Sequence, residues 1–242
     1  MIKFFRQIRQ RLLTENKFSK YLLYAIGEIV LVVVGILIAL QINNWNENQK
    51  RNRLEISLIS EMKENLQNDL QDIRNNIKED SDTWNSNKLI LKHIEEGLPY
   101  NDSLSIHFGQ LQRTSTLVAN TSAYENLKSI GFNLISNDSL RKRITNLYSA
   151  KYHYINSVHI GTNSRIVWEH LNPMLLNIVE SNEVLVDATP TNYKSLQNNL
   201  AFKEVLRWHI SIKNFVININ KDTEKEIIEI VRLINQEIEN KE

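Results

Sequence analysis

Residues 21–42 read YLLYAIGEIVLVVVGILIALQI, with Glu28 as the one charged side chain. As a helix, this stretch reaches about 33 Å, enough for the roughly 30 Å hydrocarbon core of a bilayer. A buried helix of a soluble domain normally shows one apolar face, whereas Ile29 to Val34 is apolar without a break. The stretch therefore predicts a transmembrane helix. Everything else in the chain has to be placed around it.

Charge sets the expected direction of insertion. Residues 1–20 carry Lys3, Arg6, Arg9, Arg11, Lys17 and Lys20 against Glu15 alone, a net +5 within an overall +1. The bias of cations toward the cytoplasmic side places the N-terminus inside and residues 43–242 outside. Tyr21, Tyr24 and Trp45 suit the two interfaces, where an amphipathic ring is half wet. A cleaved signal peptide is the competing reading. It is disfavoured by the length of the apolar run and by Gln41-Ile42-Asn43-Asn44-Trp45 standing where small residues would mark a cleavage site. Ile2, Phe5, Ile8 and Leu12 repeat at helical spacing among the arginines, so residues 1–20 read as a basic amphipathic segment at the lipid surface. This tail is too short to carry a nucleic-acid-binding domain.

Glu28 cannot mark the membrane edge, because the 14 residues from Ile29 to Ile42 would cover only about 21 Å. An acid inside the span asks for a proton, a cation or another helix. Glu28, Val32, Gly35 and Ala39 share a helical stripe, and Gly35-x-x-x-Ala39 permits close backbone approach, which makes the stripe a candidate face for self-association or partner binding. A neutral glutamic acid bonded to its own helix is the equal alternative.

Beyond residue 42 the composition favours helices. The chain has six glycines and three prolines in 242 residues, too few for a sheet with frequent tight turns. One helix is expected from the membrane to about residue 96, stopped by Gly97 and Pro99. Ile59, Leu66 and Ile73 are seven apart, Ile56, Leu70, Ile77, Trp84 and Leu91 occupy a second heptad position, and Asp80 and Asn87 interrupt the first. Ser122-Ala123-Tyr124-Glu125 has capping-box spacing, Gly131 would close that short helix, and Asn137 would cap the next. That next helix shows Leu140, Ile144, Leu147, Tyr154, Val158 and Trp168 on one face and weakens near Pro173. Glu180 to Asn192 reads as a loop. A last helix carries Phe202, Val205, Ile212, Val216, Ile219, Ile230 and Leu233. The expectation is an all-α chain: one N-terminal transmembrane helix, then an extracytoplasmic helical bundle with a long membrane-proximal helix.

The chemistry-bearing residues are sparse. There is no cysteine, hence no disulfide or thiolate chemistry. The six histidines form no i,i+4 pair, no H-E-x-x-H and no Glu-x-x-His spacing, and no phosphate-binding, nucleophile-elbow or dinucleotide motif is present. No catalytic, cofactor-binding or metal residue is assigned, and an enzyme is not expected. Arg141-Lys142-Arg143 reads as a solvated run. Tyr124, Asn126, Lys128, Ser129 and Asn133 gather around the short helix and its turn, where free helix-end amides occur. That cluster is the candidate ligand or partner contact.

The runs YAIGEI over residues 24–29 and GILIALQINNWN over residues 35–46, with the AYENLKS and LISN passages at residues 123–129 and 134–137, resemble a family of uncharacterised single-span membrane proteins from flavobacteria and related Bacteroidota. The resemblance implies a Gram-negative inner membrane and a periplasmic domain, and brings no activity, substrate or catalytic residue. Two roles are expected from this reading. The first is a structural scaffold or interaction protein, contacting other envelope proteins or itself through the Glu28 stripe and the membrane-proximal helix. The second is a sensory or small-ligand-binding bundle acting through a partner.

Overall fold

The computed structural model describes residues 18–183 and 185–241. Of the basic segment expected over 1–20, residues 1–17 lie outside the described residues. The chain divides into two units, Met1–Leu54 and Glu55–Glu242. The helix α1 spans Phe18–Glu95, and Gly97, at φ +66, ends it as expected.

In the first unit, the side chains from Leu22 to Ile42 have almost nothing packed against them: Leu23 is 78% exposed and Leu31 71% exposed. Leu22–Glu95 is long and apolar enough to cross a membrane, and none of its apolar window is buried. A core helix of a soluble protein would bury that window, because exposed aliphatic surface costs roughly 25 cal/mol per Å² in water.

In the second unit, α1 is followed by α2 (Leu104–Gln110), α3 (Ser122–Ile130), a helical run over residues 138–178, a hairpin of β1 (Val179–Glu183) and β2 (Asp187–Pro190), α7 (Tyr193–Gln197) and α8 (Leu200–Glu239). The 138–178 run alternates α4 (Asp138–Asn146), α5 (Tyr152–Val158) and α6 (Asn172–Ile178) with π-helical turns at Leu147–Lys151, His159–Ser164 and Val167–Leu171. The all-α expectation holds, with one correction: the stretch read as a loop after Glu180 pairs as an antiparallel hairpin, Glu180 opposite Thr189 and Ser181 opposite Ala188. Gly109 of α2 makes room for it, since a Cβ there would sit 2.4 Å from the Asp187 nitrogen.

Two apolar clusters form the core. One joins Ile59, Leu66 and Ile73 of α1 to Leu127, Ile144 and Leu147, and to Ile227, Ile230 and Ile234 of α8. The other joins Ile90 and Ile94 to Phe108, Val167, Leu171, Leu175, Phe202 and Leu206. Along α1 and the 138–178 run the first cluster comes first, and along α8 it comes last, so α8 runs antiparallel to the other two.

Residues 113–121, which have no secondary structure of their own, lie along α1 as a strap. Asp69 accepts from the Asn120 backbone at 2.8 Å, Asp72 from that of Val118 at 3.3 Å, Asn76 donates to the Thr116 carbonyl at 3.0 Å, and Asp80 accepts from Ser115 at 2.6 Å. Eleven helical residues from Asp69 to Asp80 rise about 16 Å, and five nearly extended residues from Ser115 to Asn120 cover the same distance. Helix side chains thus satisfy backbone groups that a neighbouring strand would otherwise have to satisfy.

The expected capping box does not form. Ser122 is the first residue of α3 rather than its cap, and its hydroxyl accepts from Asn65 at 2.8 Å. Gly131, at φ +113, does close α3, and Asn137 does cap α4 through the Leu140 amide at 3.1 Å.

Candidate functional site: a buried polar layer and the groove beside it

The buried residues of α8 fall at 202, 206, 209, 213, 216, 220, 223, 227, 230, 234 and 237, alternating four and three, with Ile217 buried beside them. Those of α1 include the same alternation from 59 through 62, 66, 69, 73, 76, 80, 83, 87 and 90 to 94, with Leu58 and Ser86 buried beside it. These are heptad seams, but their middle members are polar: Asp80, Thr83 and Asn87 on α1, His209, Lys213 and Asn220 on α8. The 138–178 run contributes His159 and Asn163, both fully buried. Its ladder of 155, 159, 163, 167, 171 and 175 steps by four. In a pure α-helix each such step overshoots a turn by about 40°, and the ladder would wind off the face. The π-turns widen the helix and hold His159, Asn163 and Val167 inward.

At the centre, the Lys213 ammonium donates to Asp80 Oδ1 at 2.5 Å, and the Ser115 hydroxyl donates to Oδ2 at 2.6 Å. Burial pushes Lys213 below its ordinary value, and Asp80 opposes that push. His159 Nδ1 donates to the Ser115 carbonyl at 2.7 Å. The Asn220 amide oxygen stands 3.3 Å from His159 Nε2, and a half-turn of that amide brings its nitrogen there to donate. Asn87 Nδ2 donates to His209 Nδ1 at 2.9 Å, leaving the ring proton on Nε2. Burial, aided by the nearby Lys213 charge, lowers His209 to about 3, so its ring is neutral near pH 7.

Five side chains of this layer keep polar atoms with no protein partner: Thr83 Oγ1, Asn87 Oδ1, both amide atoms of Asn163, His209 Nε2 and one of the two amide atoms of Asn220. Each such group costs about 1–3 kcal/mol against a satisfied one. The layer is therefore less stable than a fully satisfied one of the same shape would be.

Beside it lies a groove of about 350 Å³ lined by Glu79, Gln112, Arg113, Thr114, Trp168 and Leu185. Glu79 and Thr114 precede Asp80 and Ser115 of the layer in sequence, and Trp168 belongs to the third π-turn. Arg113 Nε donates to the Leu185 carbonyl at 3.2 Å. Neither Arg113 nor Glu79 forms an ion pair with another described residue.

A second set of polar residues closes the other end of the second unit. Glu55, 1% exposed, accepts from the Ser136 amide at 2.8 Å and pairs with Lys241, and Glu237 accepts from Asn137 at 3.0 Å. Asp69 is held similarly by Asn120 and by the Tyr152 hydroxyl at 2.7 Å. Burial, with Asp69 close by, pushes the Tyr148 and Tyr152 phenols upward and keeps them as donors.

The residues singled out in the sequence fall elsewhere. Tyr124 is a core side chain, stacked on Tyr148 with centroids 4.5 Å apart, while Asn126, Lys128, Ser129 and Asn133 stand on the exposed side. Lys128 pairs with Glu125 at 3.4 Å, and the Ser129 hydroxyl bonds the Asn126 carbonyl at 2.8 Å. Arg141 and Arg143, read as solvated, are engaged with Asp138 at 2.5 Å and Glu226 at 2.9 Å. In the first unit Val32, Gly35 and Ala39 are exposed, nothing lies within 4 Å of a Cβ built at Gly35, and Glu28 is partly exposed. Among the described residues no cluster of three His, Asp or Glu is placed to hold a metal ion.

Residues 28–172 match the model of a family of unknown function, DUF6090. The chain belongs to that family. The DUF6090 span includes α1 from Glu28, the strap, and the 138–178 run as far as Asn172. It thus contains Asp80, Thr83, Asn87, Ser115, His159, Asn163 and all of the groove except Leu185. No curated protein and no solved structure matches the chain.

Proposed function

We propose that the chain is a single-pass protein of the bacterial inner membrane, with its N-terminus in the cytoplasm and its helical bundle in the periplasm. It acts there as a scaffold or interaction protein rather than an enzyme. The observation that carries this reading is the apolar segment from Leu22 to Ile42, none of which is buried, and whose burial in lipid supplies the driving force that water withholds. The partners are the bilayer and other envelope proteins or a second copy, contacted through the Glu28, Val32, Gly35, Ala39 stripe. Crosslinking in native membranes followed by affinity capture of the full chain tests it. A recurrent partner or a homo-oligomer dependent on Gly35 and Ala39 is expected, and capture of monomer alone overturns it.

A second reading, a periplasmic sensory or small-ligand-binding bundle acting through a partner, is favoured by a different observation. The polar layer keeps unpartnered buried groups on α1 and α8 and, at Asn163, on a π-turn, features that cost stability and recur at functional sites. Thermal-shift measurements on the full chain in micelles with classes of small metabolites test it, since a ligand that binds the folded state raises Tm by mass action.

A further inference from the structure

Two opposite charges share the groove beside the polar layer without meeting. Arg113 is tethered through Nε to the Leu185 carbonyl, which leaves its two terminal amino groups as donors in the planar fork that matches a carboxylate. Glu79 lines the same groove; its charge acts on the buried Lys213, but it makes no ion pair within 4 Å among the described residues. Between opposite charges on one small concave surface, direct pairing is the usual outcome. Here Arg113 is bonded instead to the Leu185 carbonyl. The third wall is Trp168, 61% exposed although indole is among the side chains most worth covering. A cation over an indole face is attracted by the negative face of the ring. Thr114 and Gln112 add neutral hydrogen-bonding groups, and the 350 Å³ volume is at the small end of ligand pockets.

We propose that this groove binds a small zwitterion, a molecule with a carboxylate and an ammonium a few ångströms apart. Arg113 takes the carboxylate, while Glu79 and the Trp168 face take the ammonium. A free amino acid and a dipeptide both carry this chemistry. The inference rests on the small-ligand reading above and names the ligand class and site for it.

The test uses the full chain in detergent micelles and follows indole fluorescence, with Trp168→Phe identifying the reporting ring. The probes are a set of free L-amino acids, dipeptides, N-acetyl amino acids lacking the ammonium and amino-acid amides lacking the carboxylate. Saturable binding of an amino acid or a dipeptide is expected, and whichever of the two is tighter identifies the source. Arg113→Gln should weaken it about tenfold or more, the size of one charged hydrogen bond, and Glu79→Gln similarly. In Arg113→Gln the amide should bind as well as the parent zwitterion, and in Glu79→Gln the N-acetyl compound should do so. Glu79 is exposed and Arg113 half-buried, and unchanged helical circular dichroism confirms the fold. Absence of saturable binding, or binding indifferent to both substitutions, overturns the proposal. A thermal shift from sugars, polyamines or nucleotides that survives both substitutions overturns the zwitterion groove and leaves the ligand-binding reading standing. No shift from any class removes both.

Discussion

The Lys213 ammonium and the Asp80 carboxylate meet at 2.5 Å with side-chain exposures of 0% and 1%. Removing one partner leaves the other charged and buried, which costs about 3–5 kcal/mol. Lys213→Met should therefore lower the urea stability of the full chain in micelles by about that amount. Lys213→Met with Asp80→Leu should recover most of the loss, because two apolar side chains can replace a buried pair at little cost. A double variant as unstable as the single one would contradict the assignment of the loss to an unpaired charge.

His209 makes the fold acid-sensitive. Its folded-state value of about 3 lies below the unfolded value near 6.5, so below pH 6.5 the unfolded chain takes up a proton that the folded chain refuses. Stability is full above that pH and falls progressively toward pH 3, by up to about 5 kcal/mol. Glu237 acts in the same direction at lower pH. Burial pushes it up, but bonds from Asn137 and Lys241 hold it below the ordinary value, and the stability it contributes is lost as it protonates. The midpoint of thermal unfolding should drop between pH 7 and pH 4.5, and His209→Gln should flatten that drop. Equal slopes in the two proteins would rule out His209 as the source.

Gly109 and Gly161 should respond oppositely to alanine. A Cβ at Gly109 collides with the Asp187 backbone at 2.4 Å, whereas one at Gly161 meets nothing within 4 Å. Gly109→Ala is expected to cost about 1–3 kcal/mol as the hairpin shifts off α2. Gly161→Ala should stay within about 0.5 kcal/mol. Denaturant midpoints of the two variants decide this.

Asp69 fastens the strap. Asp69→Ala leaves the Asn120 amide and the Tyr152 hydroxyl without their acceptor, a loss of about 1–3 kcal/mol for each buried group left unsatisfied. Hydrogen exchange should speed at Val118 and Asn120 well before it speeds in α8. Uniform acceleration across the chain would mean that the strap has no separate role.

Most ends of elements were legible in the sequence because their signals are local, although the cap expected at Ser122 does not form. Gly97, Gly131 and Asn137 each act through their own backbone or cap, and each does what was expected of it. Seams were harder to read. Ile59, Leu66 and Ile73 announced one heptad position, but its continuation runs through Asp80 and Asn87, and the second position holds Asp69, Asn76 and Thr83. Pattern-reading by apolar residues instead selected Leu70, Ile77 and Trp84, one position over and only partly buried. On α8 the same bias passed over His209, Lys213 and Asn220. The periodicity of the 138–178 run failed for another reason. Tyr154 and Trp168 sit on the predicted face of an α-helix, yet are 51% and 61% exposed, because π-turns rotate the face between them. The step-of-four ladder from Ile155 to Leu175 was the available signal. The hairpin after Ile178 was hidden by its polar composition, and its docking depends on Gly109, some seventy residues earlier.

The proposed role requires above all that the chain be held in a membrane with its bundle on the outer side. Because the chain has no cysteine, a single one at Ser211, exposed on α8, gives an unambiguous reporter. In spheroplasts of cells making the Ser211→Cys protein, a membrane-impermeant maleimide should label it fully without lysis, and the labelled protein should stay in the membrane pellet through alkaline carbonate. Labelling only after lysis, or release by carbonate, would contradict the account.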